Sequence, residues 1–253
     1  MQARYRPLPA ASPSPKAASP QEPSPPIGVF LHLYYLDVLE EMLSIVRNLP
    51  DQAHIFISTE STAKKERIAA ECTKRGLASR TEIRVLPNQG WDIAPFLVGF
   101  AEVIPRYPLL LRLHSKRSTY LTDADGDAWR GLLYEALAGS KQQVERILGL
   151  FQADERLGLL CPPILPQYAD RLGCGGNFAR MRSLLAVQGL RLRPDTPIDF
   201  PMGAMFWCRS RVLQPWLEQR FSFDDFGPTK ETQRDGNLAH GHSHQNPSRV
   251  ALP

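Results

Sequence analysis

The stretch IGVFLHLY, Ile27 to Tyr34, decides the fold. Apart from Gly28 and His32 every residue in it is apolar or aromatic, with no alternation of polar and apolar positions. That is the signature of a strand covered on both faces rather than one with a solvated side. Leu39, Met42, Leu43 and Val46 follow at helical spacing within Leu36 to Asn48. The unit then repeats. AHIFIST (Ala53 to Thr59) reads as a second strand, a charged helix runs from about Thr62 to Gly76, and Glu82 to Leu86 makes a third strand. Ile93 to Val103 reads as a helix, and LLLRL (Leu109 to Leu113) as a fourth strand. Successive β-α units with nearly continuous apolar strands predict an α/β fold, a Rossmann-like, mostly parallel sheet with helices on both faces.

Beyond Leu113 the pattern loosens. Trp129 to Ala138 and Lys141 to Gln152 have helical spacing, and Leu157 to Cys161 forms a short strand. Phe178 to Gln188 is helical, Gly203 to Trp207 strand-like, and Arg211 to Glu218 helical. Ahead of the first strand, residues 1–26 are dominated by Pro, Ser and Ala. Such a segment buries too little apolar surface to offset its ordering entropy, so a disordered arm is expected there. The domain is expected to span 27–240, with an irregular tail over 241–253.

The 253 residues are 43% hydrophobic and 22% charged, with a net charge of +4. This supplies one sizeable core and a mildly basic surface. No basic block interleaved with aromatics occurs, which argues against a nucleic-acid partner. Cys72, Cys161, Cys174 and Cys208 form no CxxC pair and read as thiols of a reducing compartment. The opening residues contain no apolar signal core, and no run approaches the roughly 20 apolar residues of a membrane span. The expected location is cytoplasmic, with peripheral contact at the inner face of the membrane.

In open α/β sheets ligands sit outside the carboxyl ends of the strands, so the residues following each strand carry the chemistry. Asn88-Gln89-Gly90-Trp91-Asp92 follows the third strand. Asp92 is placed either to cap the next helix or to accept from a sugar hydroxyl, and the two roles are compatible. Arg112-Leu113-His114-Ser115-Lys116-Arg117-Ser118 ends the fourth strand. Read as more than a solvated loop, it sets Lys116 and Arg117 to neutralise a diphosphate, with His114 and Ser118 as hydrogen-bonding groups. The alternate acids Asp123, Asp125 and Asp127 begin like a calcium loop, but Ala128 and Tyr134 stand where that loop needs Gly and Glu, so an acidic turn is expected. Phe206 and Trp207, after Gly203, are either core or a flat wall for an acceptor sugar. Asp224, Asp225, Glu231 and Asp235 offer a general base. His240, His242 and His244 lack the acidic or cysteine partner of a zinc site. No resident metal or other cofactor is expected.

Seven segments occur together and in order: VFLHLYYLDVLEEM, PNQGWDIAPFL, LLRLHSKRS, WRGLLYEALAGS, LGLLCPP, GAMFWCR and FDDFGPTKETQRDGNLAH. In this the chain resembles the rhamnan synthesis protein F family of bacterial polysaccharide enzymes, over about residues 28 to 240. The resemblance implies a glycosyltransferase A-like fold. It also implies a rhamnosyltransferase acting in synthesis of a rhamnose-containing polysaccharide or lipopolysaccharide O-chain. The donor would be dTDP-L-rhamnose or a related nucleotide sugar, and the acceptor a lipid-linked or other glycan. Donor contacts would fall to Asn88, Asp92, His114, Lys116, Arg117 and Ser118. Lys116 would stabilise the departing diphosphate, Asp235 would be the base with Glu231 beside it, and Phe206 and Trp207 would face the acceptor. A non-catalytic sugar-binding module is the alternative. The family pattern Asn-Arg-Gly-Arg-Asp is Asn88-Gln89-Gly90-Trp91-Asp92 here, without either arginine. Thr232 stands at a family glycine, and the ending GHSHQNPSRVALP departs from the family's helical terminus.

Overall fold

The computed structural model describes residues 25–116, 122–164, 173–196, 198, 200–201 and 203–226, with the backbone of 4–5. The strands are β1 (Arg4–Tyr5), β2 (Ile27–His32), β3 (His54–Thr59), β4 (Thr81–Val85), β5 (Leu109–His114), β6 (Leu157–Leu160) and β7 (Phe206–Arg209). The helices are α1 (Leu39–Val46), α2 (Thr62–Lys74), α3 (Ile93–Leu97), α4 (Asp123–Ala138), α5 (Lys141–Ala153), α6 (Phe178–Val187) and α7 (Gln214–Leu217). The strands form one sheet in the order β1-β6-β7-β5-β2-β3-β4. The expected Rossmann-like, mostly parallel α/β architecture is therefore the one observed. β2 pairs in parallel with both β3 and β5, and β3 with β4.

β7 is the exception. It lies between β5 and β6 and runs antiparallel to both. Its start therefore sits beside the carboxyl end of β5, with Phe206 opposite Arg112. The segment 203–205, which the sequence reads as strand, is a turn instead. Gly203 and Ala204 both have positive φ, 84° and 55°. A side chain at Gly203 would meet Leu133 at 2.7 Å, so the turn needs glycine for both conformation and space.

Alternation along the strands separates two apolar layers. Val29, Leu31, Ile55, Ile57, Leu111 and Leu113 face residues of α1, α2, α4 and α5, among them Met42, Ile68, Leu137 and Ile147. On the other face Phe30, Phe56 and Leu110 meet Phe96 of α3 and, beyond that helix, Phe100, Val103 and Ile104. Phe30 stacks on Phe56 at 5.1 Å and meets Phe96 and Phe100 edge-on. The strands lie inside because both of their faces are consumed.

Two helices differ from the sequence reading. α3 stops at Leu97, where Gly99 (with its low helix propensity) is followed by turns and by a 3-10 turn containing Pro105. α4 begins at Asp123, six residues before the expected Trp129. The Thr122 hydroxyl caps it by accepting from the Asp125 amide at 3.2 Å, and the carboxylate of Asp125 in the first turn favours the positive end of the helix dipole. The acidic run is thus a helix start. Among the described residues no three His, Cys, Asp or Glu side chains converge as a metal site. No helix among them is long and apolar enough to cross a membrane. The expected arm and tail lie, apart from Arg4–Tyr5 and residues 25–26, outside the described residues.

Trp207 is fully buried and its indole N–H donates to the Leu137 carbonyl at 2.9 Å. Truncating it to alanine should cost about 3–5 kcal/mol, read as the shift in a urea unfolding midpoint. Leu132→Ala, at a side chain 52% exposed on α4, should change stability by less than about 0.5 kcal/mol.

Candidate functional site

β2 leads rightward through β3 to β4, and the chain then returns to place β5 on the other side of β2. The carboxyl ends of β2 and β5 therefore flank the point where strand order reverses, the place where open α/β sheets bind ligands. His32 ends β2 and His114 ends β5, and the two are register partners. Both lie on the strand face that carries Phe30, Leu110 and Arg112 further back along the strands.

Arg112 is the deepest charge, 2% exposed, with its guanidinium between the rings of Phe96 and Phe206 at 5.2 and 5.6 Å. Its Nη2 donates to both the carboxylate and the backbone carbonyl of Asp92, at 2.6 and 2.7 Å. Its Nη1 donates to the Ala204 carbonyl. Asp92 itself makes no capping bond to α3, so of the two roles open in the sequence the helix-capping one is not used. Its carboxylate turns instead to the guanidinium, with His114 Nε2 3.7 Å away. Burial raises the cost of ionising Asp92. At the acid pH where Asp92 titrates, His114 is protonated; it and then Arg112 outweigh that cost and hold the carboxyl well below the usual range.

The loop carrying Asp92 is tightly specified. Gly90 has φ 67°, and a side chain there would meet Ala94 at 2.4 Å and Phe226 at 2.7 Å. Trp91 takes φ 58°, uncommon for a large residue. Gln89 donates through Nε2 to the Phe226 carbonyl at 2.9 Å. The two positions where the family pattern has arginine thus shape the loop and dock it on the segment 222–226.

His114 has its Nε2 2.7 Å from the Gly203 carbonyl. Burial depresses its pKa more than Asp92 raises it, so the ring is neutral at pH 7 and must carry its proton on Nε2 to donate to that carbonyl. His32 pairs through Nδ1 with Ser58 Oγ at 2.9 Å. Burial again dominates, helped by the positive charges of Arg112 and Lys64, and lowers its pKa to about 4. A narrow crevice with a cavity volume of about 10 Å³, open in part to solvent, is lined by Phe30, His32, Ser58, Asp92, Phe96, Phe100 and Arg112.

Ser115 is structural. Its Oγ accepts from the backbone amides of Tyr34 and Tyr35, both at 2.9 Å, and its amide donates to His32 O at 2.8 Å. Lys116 is 6% exposed with Nζ 4.4 Å from the Trp129 ring centre, so it lies against α4 rather than projecting into open solvent. Asn88 is half-buried. Phe206 packs against Phe96 in the second apolar layer and is 9% exposed. The acceptor-wall role read for Trp207 is corrected, because the buried indole has no free face. Asp225 caps the short turn at 223–225 through Ser222 rather than facing the site. Arg117, Ser118, Glu231, Asp235 and the three histidines near the terminus lie outside the described residues.

The structure thus brings Asp92 and His114 together and adds His32, Ser58 and Arg112, which the sequence had not put forward as site residues. The signal for His32 was present, as a lone polar residue at the end of the most apolar run. Nothing in the sequence shows that Gly203 and Ala204 contribute carbonyls, because that follows from the reversed direction of β7.

A Rossmann-like domain with a polar cluster at its strand-order reversal is the class these features define. The chain belongs to the rhamnan synthesis protein F family, whose profile matches residues 13–242. It is also similar to the uncharacterized protein WxcX from Xanthomonas campestris pv. campestris, in strains B100 and ATCC 33913. Each is 37% identical over 221 residues, covering 86% of this chain and 30% of the relative. The chain therefore spans about a third of the length of these curated relatives. No solved structure matches. Membership links the chain to polysaccharide synthesis, the process for which its family is named.

A buried histidine that folds neutral binds its proton only when unfolded, so its stabilising share is complete above the unfolded value near 6.5 and is lost as pH falls toward 4. Between pH 7 and pH 5, His32 alone should account for about 1–2 kcal/mol of lost stability. His114 adds to the loss in the same direction. Asp92, depressed when folded, holds its contribution across this window and loses it only at more acid pH. Urea unfolding at the two pH values, with His32→Gln flattening the difference, checks this.

Proposed function

We propose that this domain binds a nucleotide sugar and transfers its glycosyl group during synthesis of a rhamnose-containing cell-surface polysaccharide. The observation that supports this reading best is the coupled set Asp92, Arg112, His114 and His32 at the strand-order reversal, in a chain of this family. Arg112 engages Oδ2 of Asp92 and fixes the plane of the carboxylate, so that Oδ1 is oriented to accept from a donor hydroxyl. Neutral His114 has Nε2–H committed to Gly203 and offers Nδ1 as a second acceptor.

In this proposal the donor is dTDP-L-rhamnose or a close relative and the acceptor a lipid-linked or other glycan. Lys116, with Arg117, faces the developing negative charge of the leaving diphosphate, where a fixed cation lowers the barrier most. Ser118 and Asn88 complete the donor contacts, and Asp235, with Glu231 beside it, takes the proton of the acceptor hydroxyl. Proton transfer and charge stabilisation then come from protein side chains. The reaction takes place on the cytoplasmic side of the membrane.

One observation favours a second reading, a sugar-binding module without turnover. Asp92 is already paired with Arg112, and Lys116 lies over Trp129, so two of the charges assigned to the donor are engaged within the fold.

Transfer from radiolabelled dTDP-L-rhamnose to membrane glycan, measured with purified protein, decides between them. Under the first reading Lys116→Ala and Asp235→Asn each reduce transfer by at least about a hundredfold, the size expected for losing a charge stabiliser or a general base. Asp92→Asn weakens donor binding by about tenfold in calorimetry, the worth of one charge-assisted hydrogen bond. Full transfer by both of the first two variants removes their assigned roles. Glycan binding with no nucleotide binding supports the second reading.

A further inference from the structure

Helix α6 is unlike the other helices of this fold. Its sequence, FARMRSLLAV, has, besides Val187 at its end, four strongly apolar residues, Phe178, Met181, Leu184 and Leu185, that would fill a core stripe elsewhere. Yet no side chain of α6 is buried. Those four are only half-covered, while α1 buries five of its eight residues. Val187 at the end of α6 is 68% exposed and Leu190, just beyond it, 53%. Singly, such side chains need no partner; these two lie three residues apart and next to a run of cations, which sets them apart from an isolated exposed leucine such as Leu132.

The charges around them name the chemistry of a partner. Between Gly173 and Pro194 the chain has four arginines, Arg180, Arg182, Arg191 and Arg193, and no Asp or Glu. Arg193 forms an ion pair with Asp195 at 2.7 Å. Arg180, Arg182 and Arg191 are exposed, and among the described residues none meets an acidic partner. Arg180 and Val187 are seven residues apart, about 20° apart around the helix, so cation and apolar side chain share one solvent-facing stripe. Among the described residues, the elements next to α6 in the chain are the 3-10 turn at 175–177 and the coil after Gly189, and neither forms an ion pair with an α6 arginine.

We propose that α6 and the turn to Leu190 form a membrane-surface contact, with Val187 and Leu190 entering the headgroup boundary of an anionic bilayer and Arg180, Arg182 and Arg191 facing lipid phosphates. Exposed arginines beside exposed apolar side chains bind an anionic interface by joining electrostatic attraction to a small buried apolar area. The apolar pair alone is too small for stable anchoring, and cations near an anionic surface supply the remainder. Binding of this kind is reversible and weakens with salt. It keeps the domain at a membrane whatever reaction its cleft performs, so it does not rest on the transfer activity.

The test is flotation of the full chain with vesicles of phosphatidylcholine alone and of phosphatidylcholine mixed with phosphatidylglycerol. The chain should float with the anionic vesicles, much less with the neutral ones, and detach as salt is raised. Replacing Arg180, Arg182 and Arg191 together by Glu should lower partitioning by on the order of a hundredfold, whereas replacing all three by Lys should preserve it. Val187→Asp with Leu190→Asp should also release the chain. All of these side chains are exposed, so unchanged circular dichroism and unfolding midpoints verify the fold. Equal binding to both vesicle types, or full binding by the Glu variant, overturns the proposal. So does self-association in light scattering that Val187→Asp abolishes while flotation is unchanged, since the face would then join two copies of the chain.

Discussion

A guanidinium buried inside a protein must be matched, and the arrangement of this domain's polar end follows from how Arg112 is matched. The side chain rises from the fourth parallel-register strand of the fold into a layer made largely of phenylalanine rings. Isolated there, its charge would cost several kcal/mol in lost hydration. Asp92 removes that cost, and does so with two acceptors, its carboxylate and its own carbonyl. The carbonyl of Ala204 supplies a third. These three contacts come from two segments 112 residues apart in sequence, joined at one side chain. Taking away either charge leaves the other buried alone, which typically costs 3–5 kcal/mol by this logic, roughly. Geometry at the site and stability of the fold are therefore carried by the same pair.

That joint depends on the direction of one strand. Had β7 run parallel to β5, its start would lie at the far edge of the sheet and Gly203 and Ala204 would be remote from the ligand crevice. Running antiparallel, β7 delivers their carbonyls to Arg112 and His114. The positive φ angles of both residues turn the chain there, and Leu133 of α4 closes over Gly203. The Gly203 carbonyl sets the tautomer of His114. Burial keeps the ring neutral against the pull of that carbonyl and of Asp92, and the carbonyl holds its one proton on Nε2, leaving the lone pair on Nδ1.

The sequence made the parallel half of the sheet legible because strands covered on both faces need unbroken apolar runs, and IGVFLHLY, HIFIST and LLLRLH supply them. It also located the polar edge, since Asp92 and His114 sit where those runs end. What it left open were pairings. A strand pattern states which residues share a face but not which strand lies beside it, so the inserted β7 and its two carbonyls were invisible. Arg112 read as one basic residue in a basic loop because spacing says nothing about the depth at which a side chain ends. Trp207 misled for the opposite reason: an indole looks the same in sequence whether it lines a site or, as here, fills the core and donates to Leu137. Lys116 is a mixed case, at the edge of the site yet packed on Trp129.

The two arginines of the family pattern that this chain lacks acquire a physical meaning from the loop they would occupy. Gln89 uses its side-chain amide on the Phe226 carbonyl, and Gly90 leaves room for the Phe226 ring, which is 3% exposed. The Asp92 loop is thereby fastened to the segment 222–226, itself closed by the reciprocal bonds of Ser222 and Asp225. Phe226 is the last described residue before the stretch that contains Glu231 and Asp235. The docking of Phe226 thus fixes the point from which that acidic stretch departs, and puts that point against the loop that holds Asp92. In this chain positions 89 and 91 shape the loop backbone, and the cation that meets Asp92 is Arg112, from beneath. Because Arg112 is buried and bonded to two segments, the orientation of the carboxylate is a property of the folded sheet.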